Sequence, residues 1–305
     1  NAAAVAELTI GLILSLDRSI PDNVLDARAG KWNKALYAKA DGVKGKTLGV
    51  IGLGNIGKAV ITRAKALEMN IVAWSRSLTN DAAEFLGVTR LKSPVEVAKV
   101  ADIVTLHVTS TPDTKHLADS TFFDAMKPGA FIINTTRAAV VDDDALVKAM
   151  DEKGIRAALD VFTGEPSFKS GDFSHPLASR SDVYLTHHIG ASTMQAQEAI
   201  AEEAVRVILS YAETGEVLNC VNMAVVTPAT HQITVRHLDK VGVLASVLDE
   251  IRMADWNIQE MENLVFSGAI AACATIRFSG DAKKEVIARI NSLPDVIATN
   301  MIDLQ

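Results

Sequence analysis

The chain has 305 residues, of which 49% are hydrophobic and 22% charged. This is a globular composition and excludes a disordered, collagen-like or coiled-coil chain. Lys and Arg number 30 against 37 Asp and Glu, for a formal net charge of −7, so the basic surplus of a nucleic-acid binder is missing. The length implies two or three domains. The longest apolar stretch, 2–16, is interrupted by Glu7 and is too short to span a bilayer. It also lacks the basic start and small-residue cleavage site of a signal peptide, so no membrane partner is expected. Cys220 and Cys273 form neither a disulfide framework nor a metal-ligand pattern. A cytoplasmic setting and no metal are the expectation.

In chain order, the first residues already read as the middle of a buried helix, with Val5, Leu8, Leu12 and Leu16 at helical spacing. A segment upstream of Asn1 is therefore expected, with a processed N-terminus as the alternative. Short apolar runs follow at 47–51, 71–74, 103–107, 130–134, 157–161 and 183–186, with helical segments between most of them. That alternation predicts an α/β fold with a doubly wound parallel sheet covered on both faces. A helix over 192–213 leads out, and Thr227, Pro228 and Thr230 break periodicity in a linker. The tail reads strand, helix, two strands joined at Ser267-Gly268, helix, strand. This βαββαβ order suits a small sheet with two helices on one face. The expected division is a nucleotide-binding domain with a leading helix of dimerisation type over 1–190, a returning helix and linker over 191–228, and a small domain over 229–305. The apolar first helix and the open edge of the small sheet predict a homo-oligomer, because uncovered apolar faces and sheet edges favour pairing.

Gly52-Leu53-Gly54-Asn55-Ile56-Gly57 follows a strand and opens a helix, the context that gives a GxGxxG pattern meaning. Gly52 permits a tight turn, Gly54 lets backbone approach a pyrophosphate, and Gly57 lets the helix lie close to the strand. The helix start, with Asn55 and Ile56, then offers free N–H groups to phosphate. A plain Gly-rich turn is the alternative. The next strand should end in an acid for the adenosine ribose, but Ser75 and Arg76 stand there. Arg76 could pair with a 2′-phosphate or stack on adenine, so both NAD and NADP stay open. Arg137 and His188 each follow a strand, at the carboxyl ends where open α/β sheets bind ligands. The arginine can hold a 2-oxo acid carboxylate and the histidine can move a proton. Glu165 could accept a hydrogen bond from the imidazole and raise its pKa. Taken singly, each also has a plain structural role. His175 and His231 have no ligand-spaced partner.

The stretches GVIGLGNIG, INTTRAAVVDDDAL, AALDVFTGEP and LTHHIGAST, in that order, resemble the D-isomer-specific 2-hydroxyacid dehydrogenase family. The resemblance implies a Rossmann domain, a nicotinamide cofactor and a small 2-hydroxy or 2-oxo acid substrate. It makes Arg137 the substrate-binding arginine, His188 the acid/base and Glu165 its partner. Asp160 would hold the nicotinamide carboxamide, and His107 and Thr111 would line the cofactor cleft, with Thr136 and Gly190 in the same set. His187 stands where the family usually has proline, Ala138-Ala139 replace a Gly pair, and Ser75 replaces the ribose-binding acid. The family also implies a preceding substrate lobe of roughly 100 residues, within one domain's range.

The tail, through HLDKVGVLASVLDEI and NIQEMENL, resembles the ACT module, a ferredoxin-like ligand sensor. Family members that carry it oxidise 3-phosphoglycerate to 3-phosphohydroxypyruvate in serine synthesis, and a His and two Asn residues hold serine across a subunit interface. His237 matches the His and Asn257 the second Asn, while Asp239 stands at the first. An acid there accepts from an ammonium group but repels a carboxylate, so a serine site and a module kept for assembly both stay open. Two other functions stay open as well: an NADPH-dependent glyoxylate/hydroxypyruvate reductase, and a non-catalytic amino-acid sensor.

Overall fold

The structure, a computed structural model, describes residues 1–167, 170–222, 224 and 226–304. It divides into two compact units, Asn1–Glu216 and Val217–Gln305. The division falls within the 191–228 stretch read as helix and linker; positions 223 and 225 of that linker lie outside the described residues.

The first unit opens with α1 (Ala2–Arg18), α2 (Ile20–Arg28) and the short α3 (Lys34–Tyr37). The chain then alternates through β1 (Thr47–Ile51), α4 (Asn55–Ala66), β2 (Asn70–Trp74), α5 (Asn80–Phe85), β3 (Thr89–Arg90), α6 (Pro94–Val100) and β4 (Ile103–Leu106). It continues with α7 (Ser120–Ala125), β5 (Phe131–Asn134), α8 (Asp143–Lys153), β6 (Arg156–Leu159), β7 (Val183–Leu185) and α9 (Met194–Thr214). The strands form one parallel sheet in the order β3-β2-β1-β4-β5-β6-β7.

The strands read as unbroken apolar runs because both faces are buried. Ile51, Val104, Ile132 and Ala157 pack on one side with Phe122, Phe123 and Leu146. Their neighbours Val50, Ile103, Ile133 and Ala158 pack on the other with Ile13, Leu16, Val60 and Ala64. Strand order reverses direction between β1 and β4, and a crevice opens there beyond the carboxyl ends, where ligands bind in this architecture.

The first helix departs from the expectation. Ala6, Leu12, Ile13 and Leu16 are buried against α4 and the sheet, so the apolar stripe of α1 is covered within its own unit. The uncovered apolar groups nearby are on α2, where Ile20, Val24 and Leu25 are exposed and no residue is buried.

The second unit holds β8 (His231–Leu238), α10 (Val243–Met253), β9 (Asn257–Val265), β10 (Ala271–Ser279), α11 (Lys284–Asn291) and β11 (Val296–Asp303). Its four strands pair antiparallel in the order β11-β8-β10-β9, the split-βαβ arrangement. Ile233, Val235, Ala274, Ile276 and Phe278 face Val247, Ile251, Val286 and Ile290 of the helices.

Candidate active site

The glycine motif shows three different physical uses. Gly52 has φ +97, and a Cβ there would lie 2.4 Å from the His107 carbonyl oxygen. A Cβ at Gly57 would lie 2.1 Å from the Gly52 carbonyl oxygen, so α4 sits directly on the turn. A Cβ at Gly54 would meet nothing within 4 Å, because that position faces open space at the head of α4. Gly54 is the N-cap of this 12-residue helix and gives it no side-chain cap. The first N–H groups are thus left for a ligand, and the helix dipole favours an anion.

A cavity of about 870 Å³ lies in front of that helix start. Its wall brings together Gly54, Asn55, Ile56, His107, Thr136, Arg137, Asp160, His188 and Gly190, all anticipated from the sequence. Gly52 and Gly57 lie behind the wall. Ser75 and Arg76 follow β2 outside it, and Arg76 Nη1 is 3.7 Å from Asp113 Oδ2. Thr111 is also outside the wall: it caps a 3-10 turn in a mutual pairing with Thr114.

His107 follows β4 and is buried. Its Nε2 lies 2.9 Å from Thr105 Oγ1. Its Nδ1 is the one buried side-chain polar atom among the described residues without a hydrogen-bond partner. Burial pushes the imidazole down to about 3, so it is neutral at physiological pH.

Arg137 is exposed on the turn after β5, and its Nη1 donates to the Thr136 carbonyl at 2.6 Å. Asn134, which sequence reasoning missed, braces that turn. Its Oδ1 accepts from the Thr136 amide at 3.0 Å and hydroxyl at 2.8 Å, and its Nδ2 donates to the Arg137 carbonyl at 3.0 Å. The available signal was a polar residue closing the apolar run FIIN immediately before a reactive turn.

His188 follows β7 in a left-handed conformation, φ +52. Its Nδ1 is 2.8 Å from Glu165 Oε2, and Glu165 Oε1 accepts from the Phe162 amide at 3.0 Å. With Nδ1–H committed to the carboxylate, the neutral ring has its lone pair on Nε2, the form a base requires. Asp160 is buried and accepts three bonds from the His188 turn. Thr186 Oγ1 (2.6 Å) and the Ile189 amide (2.9 Å) donate to Oδ1, and the Gly190 amide (2.8 Å) donates to Oδ2. Glu165 and His188 also border a second cavity with His187, Phe162 and Phe173.

In the second unit, His237 is buried, with Nδ1 donating to the Leu238 carbonyl at 2.7 Å and Nε2 lying 3.2 Å from Asn263 Oδ1. Asp239 and Asn257 are exposed. His237 is paired across from Ala272 and Asn257 across from Ser279. At about 3.3 Å per strand residue, they stand at opposite ends of β10. Within one chain the three expected effector residues do not converge.

A family model described as D-isomer specific 2-hydroxyacid dehydrogenase, NAD binding domain, matches residues 10–190. The chain belongs to that family. It is 38% identical over 278 residues to a D-3-phosphoglycerate dehydrogenase of Methanocaldococcus jannaschii, covering 89% of this chain and 50% of that protein. It is 35% identical over 251 residues to the enzyme of that name from Escherichia coli K12, covering 81% and 60%. The chain thus spans between half and three fifths of the length of these curated relatives. The crystal structure of the TT0316 protein from Thermus thermophilus aligns with a TM-score of 0.62 at 35% identity, covering 72% of this chain and 67% of that one.

The family domain matched is its NAD-binding domain, and the residues in place fit that group. The turn excludes side chains at Gly52 and Gly57, the head of α4 is uncapped and open at Gly54, and the cavity before it runs to Arg137 and His188. Among the described residues no helix is long and apolar enough to cross a membrane.

Proposed function

We propose that this chain carries the nucleotide-binding and proton-moving half of an NAD-linked D-2-hydroxy acid dehydrogenase, with 3-phosphoglycerate and 3-phosphohydroxypyruvate as its substrate pair. The observation that carries this reading is one cavity wall joining the uncapped start of α4, Arg137 and the Glu165-bound His188. The Arg137 guanidinium holds the substrate carboxylate and draws electron density from the neighbouring C2 oxygen. His188 Nε2 takes the hydroxyl proton during oxidation and returns it during reduction, while Glu165 holds Nδ1–H and stabilises the imidazolium formed. NAD, which the turn at Gly52 and Gly57 and the uncapped head of α4 would hold, would supply the hydride acceptor for C2. The Asp113 carboxylate beside Arg76 would face a 2′-phosphate with like charge, which favours NAD over NADP.

The βαββαβ unit is the ACT-like part of this reading. The separation of His237 from Asn257 means that a serine site would draw His237 and Asp239 from one copy and Asn257 from another. That requires a homo-oligomer, for which exposed Ile20, Val24 and Leu25 on α2 offer apolar surface.

The test is nucleotide reduction followed at 340 nm with 3-phosphoglycerate, glycolate, D-glycerate and D-lactate. The reading expects 3-phosphoglycerate to give the highest kcat/KM, and His188→Gln to remove turnover while NADH still binds. A preference for glycolate or D-glycerate with NADP would favour the glyoxylate/hydroxypyruvate reductase reading. NADH binding with no turnover of any hydroxy acid by the complete protein, including any upstream lobe, would favour the sensor.

A further inference from the structure

Arg137 and His188 lie on separate turns, after β5 and β7, with β6 between them. Their separation therefore depends on something that ties the turns together. Two buried polar side chains at the strand ends supply the ties. Asn134 donates through Nδ2 to the Arg137 carbonyl and accepts the Thr136 amide and hydroxyl. Asp160 accepts Thr186 Oγ1 and the Ile189 and Gly190 amides, gripping the chain on both sides of His188. The two are joined directly, since the Asp160 amide donates to the Asn134 carbonyl at 3.0 Å. Glu165, which holds the His188 ring, leaves the same β6 end as Asp160.

We infer that Asn134 and Asp160 are positioning residues, and that the hydrogen-bond path Arg137–Asn134–Asp160–Ile189 sets the placement of the carboxylate-holding arginine relative to the proton-carrying histidine. The inference rests on the reaction proposed above. The Asp160 clamp differs from any contact Asp160 makes with nicotinamide, because it acts through Thr186, and neither Thr186 nor Asn134 is in the cavity wall. A side chain outside the wall that alters one kinetic constant must act through a residue inside it. The left-handed backbone of His188 fits this role, because a non-glycine residue keeps such a conformation only where its surroundings over-determine it.

The two clamps act on different residues, so their variants should separate kcat from KM. Thr186→Val removes one donor to Asp160. It is expected to lower kcat about tenfold and to shift the pH profile of kcat, with KM for the hydroxy acid within twofold of the parent. Thr186→Ser keeps the hydroxyl and should restore both. If Thr186→Val unfolds, Thr186→Cys gives the same reading with only a weak donor. Asn134→Asp replaces the Nδ2 donor with an oxygen that repels the Arg137 carbonyl. It is expected to raise KM about tenfold and to leave kcat within threefold. NADH dissociation constants from fluorescence should be unchanged in all four variants.

The same clamps can be read without turnover. In a Cε1-labelled histidine NMR spectrum, the His188 signal, identified by its loss in His188→Gln, should shift in Thr186→Val and stay in place in Asn134→Asp. Absence of turnover in the complete protein, including any upstream lobe, would therefore defeat the proposed reaction and leave this spectrum to decide the clamp. An unmoved His188 signal in Thr186→Val, or kcat and KM changing in parallel in both variants, would overturn the inference.

Discussion

His188 Nδ1 and Glu165 Oε2 are 2.8 Å apart, and the second oxygen of that carboxylate is held by the Phe162 amide. The carboxylate is therefore fixed before it meets the ring, and it selects the tautomer with a free Nε2. Glu165→Gln keeps the shape and removes the charge. The imidazolium formed during oxidation then loses its counter-charge, and an amide that presents its NH2 group selects the wrong tautomer. On the proposed reaction kcat should fall on the order of 100-fold, with NADH affinity unchanged because Glu165 lies outside the main cavity wall. Stopped-flow hydride transfer and an NADH titration check this together. A kcat within twofold of the parent would show that the pair does not carry the proton.

The glycine motif gives a contrast between two one-carbon changes. Gly57→Ala places a methyl 2.1 Å from the Gly52 carbonyl oxygen, so α4 or the turn must move. Such overpacking costs about 1–3 kcal/mol, and both Tm and NADH binding should drop. Gly54→Ala meets nothing within 4 Å and has no left-handed backbone to strain, so Tm should stay near the parent value. The added methyl sits where phosphate must approach the α4 amides, so NADH affinity alone should fall. Thermal melts beside calorimetric titrations separate the cases, and undiminished NADH affinity in Gly54→Ala would move the phosphates elsewhere.

Arg76 and Asp113 are both well exposed, and 3.7 Å separates them. An exposed pair of this kind contributes little stability, so its consequence is expected in cofactor choice. Asp113→Asn removes the like charge facing a 2′-phosphate and frees Arg76 to pair with it. The NADPH/NADH affinity ratio should rise about twofold to fivefold, and Arg76→Ala in the same background should reverse the gain. Paired fluorescence titrations at low and at physiological salt read this directly. A ratio that does not move would place the adenosine ribose away from Arg76.

What the sequence revealed follows the physics of burial. The central strands are buried on both faces, so each reads as an apolar run, and the expected limits of 47–51 and 183–186 lie within a residue of β1 and β7. Strand β3 was missed because it has two residues, Thr89 and Arg90, both exposed. Helix α2 was missed because it is short, nine residues, and Pro21 near its start reads as a break in periodicity. Arg137, Glu165 and His188 were legible as a set through the family motifs that carry them, since each alone also has a plain structural role. Asn134 and Thr186 were not, since their contribution lies in hydrogen bonds to neighbouring turns that only the folded chain creates. The effector residues show the converse: His237 and Asn257 match a motif, but their strand positions separate them within one chain.

His107 gives a pH prediction with a definite sign. Its ordinary value is 6.5, and burial pushes it down to about 3 in the folded chain. Between these values the unfolded chain binds a proton that the folded chain does not, so stability falls as pH falls through this window. The slope approaches about 1.4 kcal/mol per pH unit for one proton, and above pH 6.5 the contribution is flat. The shifted carboxylates act lower. At Asp102 burial pushes upward, but the Lys127 ammonium and the Thr47 amide hold it below its ordinary 3.8, and Arg180 holds Asp182 below the same value. Their stabilisation is present above pH 3.8 and lost only as pH falls further. From pH 6.5 to 4.5 these two carboxylates do not contribute to the slope, and the His107 effect is read there as the difference between parent and variant. His107→Gln places a neutral amide beside Thr105 and should flatten that part of the profile, measured as urea unfolding free energy at half-unit steps. Equal slopes in parent and variant would show that His107 binds its proton as readily folded as unfolded.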